Sequence, residues 1–406
     1  MQFTLDLDSF IKQYVICREE SLLKADFENY DEQMRHLING ASVLVIGGAG
    51  TIGSSYIKAI LRYRIKKLVV VDTNENGLTE LVRDLRSSSG YNIPFDFITY
   101  PVNFGDNVFE KIFRQSGPYE IVANFAAHKH VRSEKDIFSI EAMIENNVLR
   151  ARKLLNILVD NPPEHFFCVS TDKAANPVNV MGASKKLMEE LIMAYSQKIP
   201  IKTARFANVA FSNGSLLFGF LERINKRQPW SCPLGIRRFF VSPQESGELC
   251  LMASIMGESG DIFFPKLDEE KDMKSLDKIA FDLLNSIGLL PDICKTEDEA
   301  IKKALLMDEN STTYPVYLFG SDTSGEKSFE EFYTENELLD MDSFANLGVI
   351  KNSRERGISE IDEIFDKLHR LFNESNVTKA DIVEILKEYL PNFEHIETGK
   401  NLDQKM

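Results

Sequence analysis

The chain has 406 residues, 43% of them hydrophobic, with 47 Lys and Arg against 62 Asp and Glu, a formal net charge of −15. That length is ample for a buried core and implies one large domain with appendages or two domains, while the acidic balance argues against generic binding to nucleic acid or acidic membranes. No basic segment followed by an apolar stretch opens the chain and no run approaches the ~18 apolar residues of a membrane span, so a cytoplasmic protein without a membrane span is expected.

Residues 1–40 are expected to form a helical arm, since Leu5, Phe10, Ile11, Tyr14 and Val15 recur at helical spacing among many charges. From Ser42 the pattern changes to short apolar runs, 43–46, 67–71, 95–100, 121–124, 166–169 and 203–206, alternating with amphipathic segments. Strands alternating with helices predict an α/β fold with a doubly wound, parallel, Rossmann-type sheet. The first run enters Gly47-Gly48-Ala49-Gly50-Thr51-Ile52-Gly53 and an amphipathic helix follows. Glycines there permit a tight turn, close backbone approach to a pyrophosphate and close packing of helix on strand. Asp72 follows nineteen residues after Gly53, at the end of the second run, placed to accept hydrogen bonds from an adenosine ribose. A carboxylate suits an unmodified 2′-hydroxyl and repels a 2′-phosphate, so NAD is expected in preference to NADP.

Beyond the run 166–169 lie Ser170-Thr171-Asp172-Lys173 and then Met181-Gly182-Ala183-Ser184-Lys185, which put an acid and two amines where an open α/β sheet holds its ligand. The second cluster has the spacing of a Tyr-x-x-x-Lys pair, with Met181 in the tyrosine position. A thioether cannot take a proton from an alcohol, so Asp172 and Lys173 are the candidate proton carriers. Read without context the two are a surface turn with a salt bridge. His128 and His130 lack a third ligand nearby, so no metal is expected. A Pro-, Gly- and aromatic-rich stretch from about 211 opens a smaller substrate-binding region, expected over 211–350, with the part near 236–262 returning to a Rossmann domain that covers 41–210. Residues 351–406 read as a helical tail with an apolar stripe at Ile358, Ile361, Ile364, Phe365 and Leu368. The apolar stripes of both ends suggest a homo-oligomer. Five scattered cysteines, never in a Cys-x-x-Cys pair, read as reduced thiols.

Over about residues 41 to 335 the chain resembles the extended short-chain dehydrogenases, among them the nucleotide-sugar 4,6-dehydratases of the capsule and flagellin-glycosylation type. The likeness is carried by the glycine turn, Asn124-Phe125-Ala126-Ala127-His128-Lys129-His130-Val131, Asn147-Val148, the block from Ser170 to Lys185, Arg205-Phe206-Ala207-Asn208-Val209, Ser212-Asn213-Gly214-Ser215 and Gly325-Glu326-Lys327. Methionine in place of the tyrosine is a habit of one branch of that family. Two positions depart from the pattern: Asn103-Phe104 stands for an Asp-Val or Asp-Ile pair, and Thr323-Ser324 for an Arg-Pro pair. The resemblance implies NAD as cofactor and loss of water from a nucleotide-linked N-acetylhexosamine, most simply UDP-linked. It implies Asp172 as acid for the departing carbon 6 hydroxyl, Lys173 as base at carbon 5, Thr171 as holder of the carbon 4 hydroxyl, and Lys185 at the nicotinamide ribose. Asn103 and Ala126 join the cofactor site, and Lys129, His130, Asn208, Ser212, Asn213, Arg238 and Glu326 the substrate site. Glu326 and Lys327 read equally well as a helix cap. Lys173 serves as a base only if its pKa falls well below ~10, and partial burial with Lys129 and Lys185 nearby is expected to depress it. A carbon 4 or carbon 5 epimerase, or a catalytically silent NAD- or nucleotide-sugar-binding protein, remain the alternatives.

Overall fold

The computed structural model describes residues 5–129, 134, 136–320, 330–351, 353 and 356–395. Within them the strands are β1 Ser42–Ile46, β2 Lys67–Val71, β3 Asp96–Tyr100, β4 Ile121–Asn124, β5 His165–Val169, β6 Ile201–Ala204, β7 Asn208–Val209, β8 Trp230–Pro233, β9 Arg237–Val241, β10 Asp261–Pro265, β11 Met273–Ser275, β12 Leu290–Cys294, β13 Thr313–Phe319, β14 Leu338–Asp340 and β15 Leu347–Lys351. Nine of them form one sheet in the order β3-β2-β1-β4-β5-β6-β10-β15-β14. The pairs from β3 through β10 are parallel, and β1, β4, β5, β6 and β10 are buried along their whole length. Their apolar runs therefore do not alternate, as expected of strands covered on both faces.

Chain order reverses between β1 and β4, the point where a doubly wound sheet opens a crevice at the carboxyl ends of its strands. Helix Thr51–Ile60, which follows β1, packs against helix Pro243–Met256. Gly247 makes that approach possible: a Cβ there would run into the Ser55 carbonyl. Helices Arg150–Asp160 and Val180–Ala194 pack together, and the first is preceded by a π-helical turn, Glu145–Leu149.

A smaller lobe has its own core around Trp230, Phe220, Tyr314 and Leu283, under the parallel three-stranded sheet β12-β13-β8. The sheet β11-β9-β7 links this lobe to the cleft. The substrate-binding stretch expected over 211–350 is not contiguous in space. Besides β10, it returns β14 and β15 to the large sheet, β15 antiparallel to β10, and the expected boundary at 350 cuts through β15.

Both chain ends are helical and fold back on the molecule. Phe10, Ile11 and Val15 enter the small core, while Met34 and Ile38 of helix Lys24–Ile38 and Ile361, Ile364, Phe365 and Leu368 of helix Ile358–Phe372 enter the large one. The apolar stripes that suggested a partner are thus covered by the chain's own domain and supply no argument for an oligomer. Among the described residues no helix is long and apolar enough to cross a membrane. All five cysteines are unpaired, four of them buried.

Candidate active site

The cleft holds two adjoining cavities that share Phe125 and Ala127 as wall. One, of about 250 Å³, is lined by Gly47, Gly50, Asp72, Asn103, Ala126, His128 and Arg150 among others. Gly47 has φ +75°, and a Cβ on it would stand 2.5 Å from the Ala126 backbone nitrogen, so the turn and the end of β4 close on each other only because no side chain intervenes. Gly50 caps helix Thr51–Ile60, whose amino terminus opens at the turn. Gly53, inside that helix, leaves no room for a side chain against the Gly47 carbonyl. Asp72 Oδ2 accepts from Ala49 N at 2.9 Å and Oδ1 from Asn74 N at 2.9 Å, so the carboxylate is held against the turn by two backbone amides. Asn103 Oδ1 accepts from Gly105 N at 2.8 Å, which leaves its amide nitrogen as the group to offer a ligand.

The second cavity, of about 230 Å³, is lined by Ile52, Lys129, Thr171, Asp172, Lys173, Met181, Lys185, Asn208 and Ser212 among others. β5 ends at Val169 and the chain enters a 3₁₀ turn, Asp172–Ala174, that delivers Thr171, Asp172 and Lys173 to the cavity. Thr171 Oγ1 donates to Asp172 Oδ1 at 2.6 Å, and Lys173 Nζ stands 3.1 Å from both Asp172 oxygens. On helix Val180–Ala194 Lys185 is buried, its Nζ donating to Val169 O at 2.8 Å, and burial pulls its amine below the usual lysine range. Met181 is buried on the same helix, whose start is fixed by Asn179, accepting from Gly182 N, and by Glu134, accepting from Met181 N at 2.9 Å. Asn147, at the π-helical turn, ties the two cavities' walls. Its side chain accepts from His128 N at 2.8 Å and donates to His128 O at 2.9 Å and to Ser184 Oγ at 3.1 Å.

The expected depression of Lys173 does not hold in this arrangement. Burial and, less, the charge of Arg238 lower its amine, but the charges of Asp172 and Glu330 and the hydrogen bond to Asp172 outweigh them and hold it above the usual lysine range. Glu330, which the sequence reading passed over, is 5% exposed and closes the far side of the group. Its carboxylate accepts from Asn208 Nδ2 at 2.8 and 2.9 Å and lies 3.4 Å from both Lys173 Nζ and Arg238 Nε. Arg238 on β9 and Asn208 on β7 are therefore joined to Lys173 through one carboxylate. Ser212 lines the cavity, whereas Asn213 is exposed and instead donates its backbone N–H to Thr51 Oγ1 at 3.0 Å, linking the lobe to the glycine turn. Arg150 also went unforeseen, because an arginine on an amphipathic helix reads as solvated surface. His130 and Glu326, with Thr323, Ser324 and Lys327, lie outside the described residues.

A family model for polysaccharide biosynthesis proteins matches residues 43–352. An uncharacterized membrane protein of Methanocaldococcus jannaschii is 28% identical over 354 residues, 86% of this chain and 95% of its own. The capsular polysaccharide biosynthesis protein CapD of Staphylococcus aureus is 28% identical over 325 residues, 79% of this chain and 49% of its own, so the chain spans about half of that relative's length. A UDP-N-acetylglucosamine 4,6-dehydratase (inverting) of Campylobacter jejuni is 26% identical over 245 residues, 58% of this chain and 70% of its own. Among solved structures, Pen from Bacillus thuringiensis shares the fold with a TM-score of 0.63 at 19% identity, over 88% of this chain and 99% of that one.

Proposed function

The chain belongs to the polysaccharide biosynthesis protein family, and from that premise we propose that it is an NAD-dependent 4,6-dehydratase of a nucleotide-linked N-acetylhexosamine, with UDP-N-acetylglucosamine as the first substrate to test. The observation that carries the reading is the Thr171–Asp172–Lys173 group at the end of β5, an acid and an amine in contact beside the buried Lys185. The likeness to the Campylobacter dehydratase supports it. So does the glycine turn, whose side-chain-free cradle at Gly47 and helix amino terminus at Gly50 fit a pyrophosphate, with Asp72 beside it for a ribose hydroxyl.

When bound there, NAD supplies the acceptor for the carbon 4 hydride and its return to carbon 6. The chain's own residues handle the protons. Thr171 holds the carbon 4 hydroxyl and passes its proton along the 2.6 Å contact to Asp172. Asp172 then protonates the departing carbon 6 hydroxyl, and Lys173 takes the carbon 5 proton. Lys185 adds positive potential where an alkoxide develops at carbon 4. Arg238 offers a cation to the substrate diphosphate, and Lys129, Asn208 and Ser212 line its cavity.

The test is incubation of the purified protein with UDP-, GDP- and dTDP-linked hexosamines and hexoses, followed by mass spectrometry. Loss of one water from one of them is the expected result. An isomer of unchanged mass would mean an epimerase, and no change in any of them would sink the enzymatic reading.

A further inference from the structure

We infer that Glu330 is the proton store for Lys173: it takes the surplus proton of the ammonium and so leaves a neutral amine to act at carbon 5. The inference rests on the dehydratase reading and explains how a lysine held between two carboxylates serves as a base. An ammonium must lose a proton before it removes one. Among the described residues, Asp172 and Glu330 are the two carboxylates in contact with Lys173, at 3.1 and 3.4 Å. Asp172 already accepts from Thr171 and is the group that receives the carbon 4 proton, and one carboxylate does not hold both. That leaves Glu330.

Its surroundings suit the task. Facing it are Asp172 and Lys173 from the 3₁₀ turn, Asn208 from β7 and Arg238 from β9. Its neighbour Glu331 accepts from Asn176 Nδ2 instead. Burial and the charge of Asp172 raise its proton affinity, against the pull of Lys173 and Arg238. A substrate diphosphate drawn to Arg238 would weaken that cation's hold on Glu330, with which it is in contact at 3.4 Å. Substrate binding would thus ease transfer of the proton from Lys173 to Glu330 when the amine is needed.

The steps balance. Proton transfer from Lys173 to Glu330 gives an amine and a carboxylic acid. Oxidation at carbon 4 sends the hydride to NAD and the hydroxyl proton, through Thr171, to Asp172. Lys173 takes the carbon 5 proton, the electron pair left behind forms the bond between carbons 5 and 6, and the carbon 6 hydroxyl departs as water with the Asp172 proton. The hydride returns to carbon 6, Lys173 returns its proton to carbon 5, and Glu330 returns the stored proton to Lys173. Glu330 touches none of the reacting atoms and acts through Lys173, as a positioning residue with a proton to hold.

The test is Glu330→Gln, which keeps the size and an acceptor for Asn208 but takes no proton. The intact protein is given UDP-N-acetylglucosamine in deuterated water, following reduced-nicotinamide absorbance, carbon 5 deuterium by NMR and water loss by mass. Carbon 4 oxidation is expected to survive, while carbon 5 exchange and water loss fall by ~10²-fold or more. The residual rate should climb toward alkaline pH, where solvent deprotonates Lys173, and Glu330→Asp should restore part of the neutral-pH rate. Water loss within about threefold of the starting enzyme, a change well below the ordinary acid/base contribution, would overturn the inference. Equal loss of oxidation and dehydration with an unchanged pH profile would also overturn it. If Glu330→Gln does not fold, infrared difference spectra of the unaltered enzyme with UDP decide: UDP brings the diphosphate but no sugar to oxidise, so Asp172 gains no proton from carbon 4, and a protonated-carboxyl band should still appear, its absence counting against the store. Should the unaltered enzyme lose no water from any substrate, the dehydratase reading fails first and takes this inference with it.

Discussion

Asp172 and Lys173 are adjacent in the chain and in contact in space, so their roles separate only by what each can do with a proton. Asp172→Asn keeps the shape and the contact with Thr171 but has no carboxyl proton to give, and water loss should fall by ~10²-fold or more. Lys173→Met should abolish exchange of the carbon 5 hydrogen with deuterated water while the cofactor stays bound. If both variants turned over within about threefold of the starting enzyme, the chemistry would have to be sought elsewhere. In the proposed reading Asp72 serves two purposes that a single substitution mixes. Its oxygens are held by Ala49 N and Asn74 N, so Asp72→Ala loosens the glycine turn as well as removing the ribose acceptor. Calorimetry on the unaltered protein is the cleaner measurement: NAD should bind more tightly than NADP, and equal affinities would remove the ribose role from Asp72.

At the scale of elements, one buried ion cluster holds the site's three supports together. Arg205, at the end of β6, is fully buried and pairs with Glu189 of helix Val180–Ala194 and with Glu337, while Glu189 also accepts from Ser170 Oγ at 2.8 Å. Arg205→Met would leave the buried Glu189 carboxylate without its bidentate partner, with only the longer 4.0 Å contact to Lys186 Nζ in its place, and should cost roughly 3 kcal/mol in denaturant unfolding. The cluster also shows where sequence reading stops. The runs 67–71 and 121–124 match β2 and β4, because strands buried on both faces announce themselves as unbroken apolar runs. β6 was expected two residues late, at 203–206, because Lys202 looks like surface. In fact it is 3% exposed, its Nζ 3.0 Å from His165 Nδ1 and donating to Ser254 O at 3.2 Å. The glycine turn, Asp72 and the Ser170–Lys185 block were legible because local spacing carries them. Glu330 was not, since it meets Lys173 across 157 residues and nothing beside it in the chain marks it as buried.

The molecule as a whole carries two features outside the cleft lining that set its stability. The first is the Lys202–His165 contact at the opposite end of β5 from the active site. Burial, and then the charge of Lys202, push the His165 imidazole down to about 4 from an ordinary 6.5. The folded pKa is the lower one, so the unfolded chain takes up a proton that the folded chain refuses. This contribution is present above about pH 6.5 and lost as pH falls through about 4. Urea unfolding at pH 7 and pH 5 should show the unaltered protein losing about 2 kcal/mol more than His165→Gln over that interval, the carboxylates being common to both. Equal losses would mean that His165 titrates normally.

The second feature is the amino-terminal arm, which runs from the small core at Phe10, Ile11 and Val15 to the large one at Met34 and Ile38. On the way Arg18 Nε pairs with Glu245 at 2.7 Å, and Asp26, wholly buried, accepts from the backbone amides of Ala345 at 2.6 Å and Asn346 at 2.9 Å just ahead of β15. The arm thus fastens both lobes and the last strand of the sheet. Asp26 is wholly buried while Ala345 is exposed and Asn346 half-buried, so Asp26→Ala removes two hydrogen bonds to a carboxylate whose amide donors water can reach, and it should lower the unfolding free energy by about 1–3 kcal/mol. Asp31→Ala removes only the exposed partner of Arg35 on the same helix and should stay within about 0.5 kcal/mol. The comparison isolates the clamp from helix propensity, because both substitutions put alanine in one helix. Similar effects from the two would mean that the arm rests on the domain without holding it.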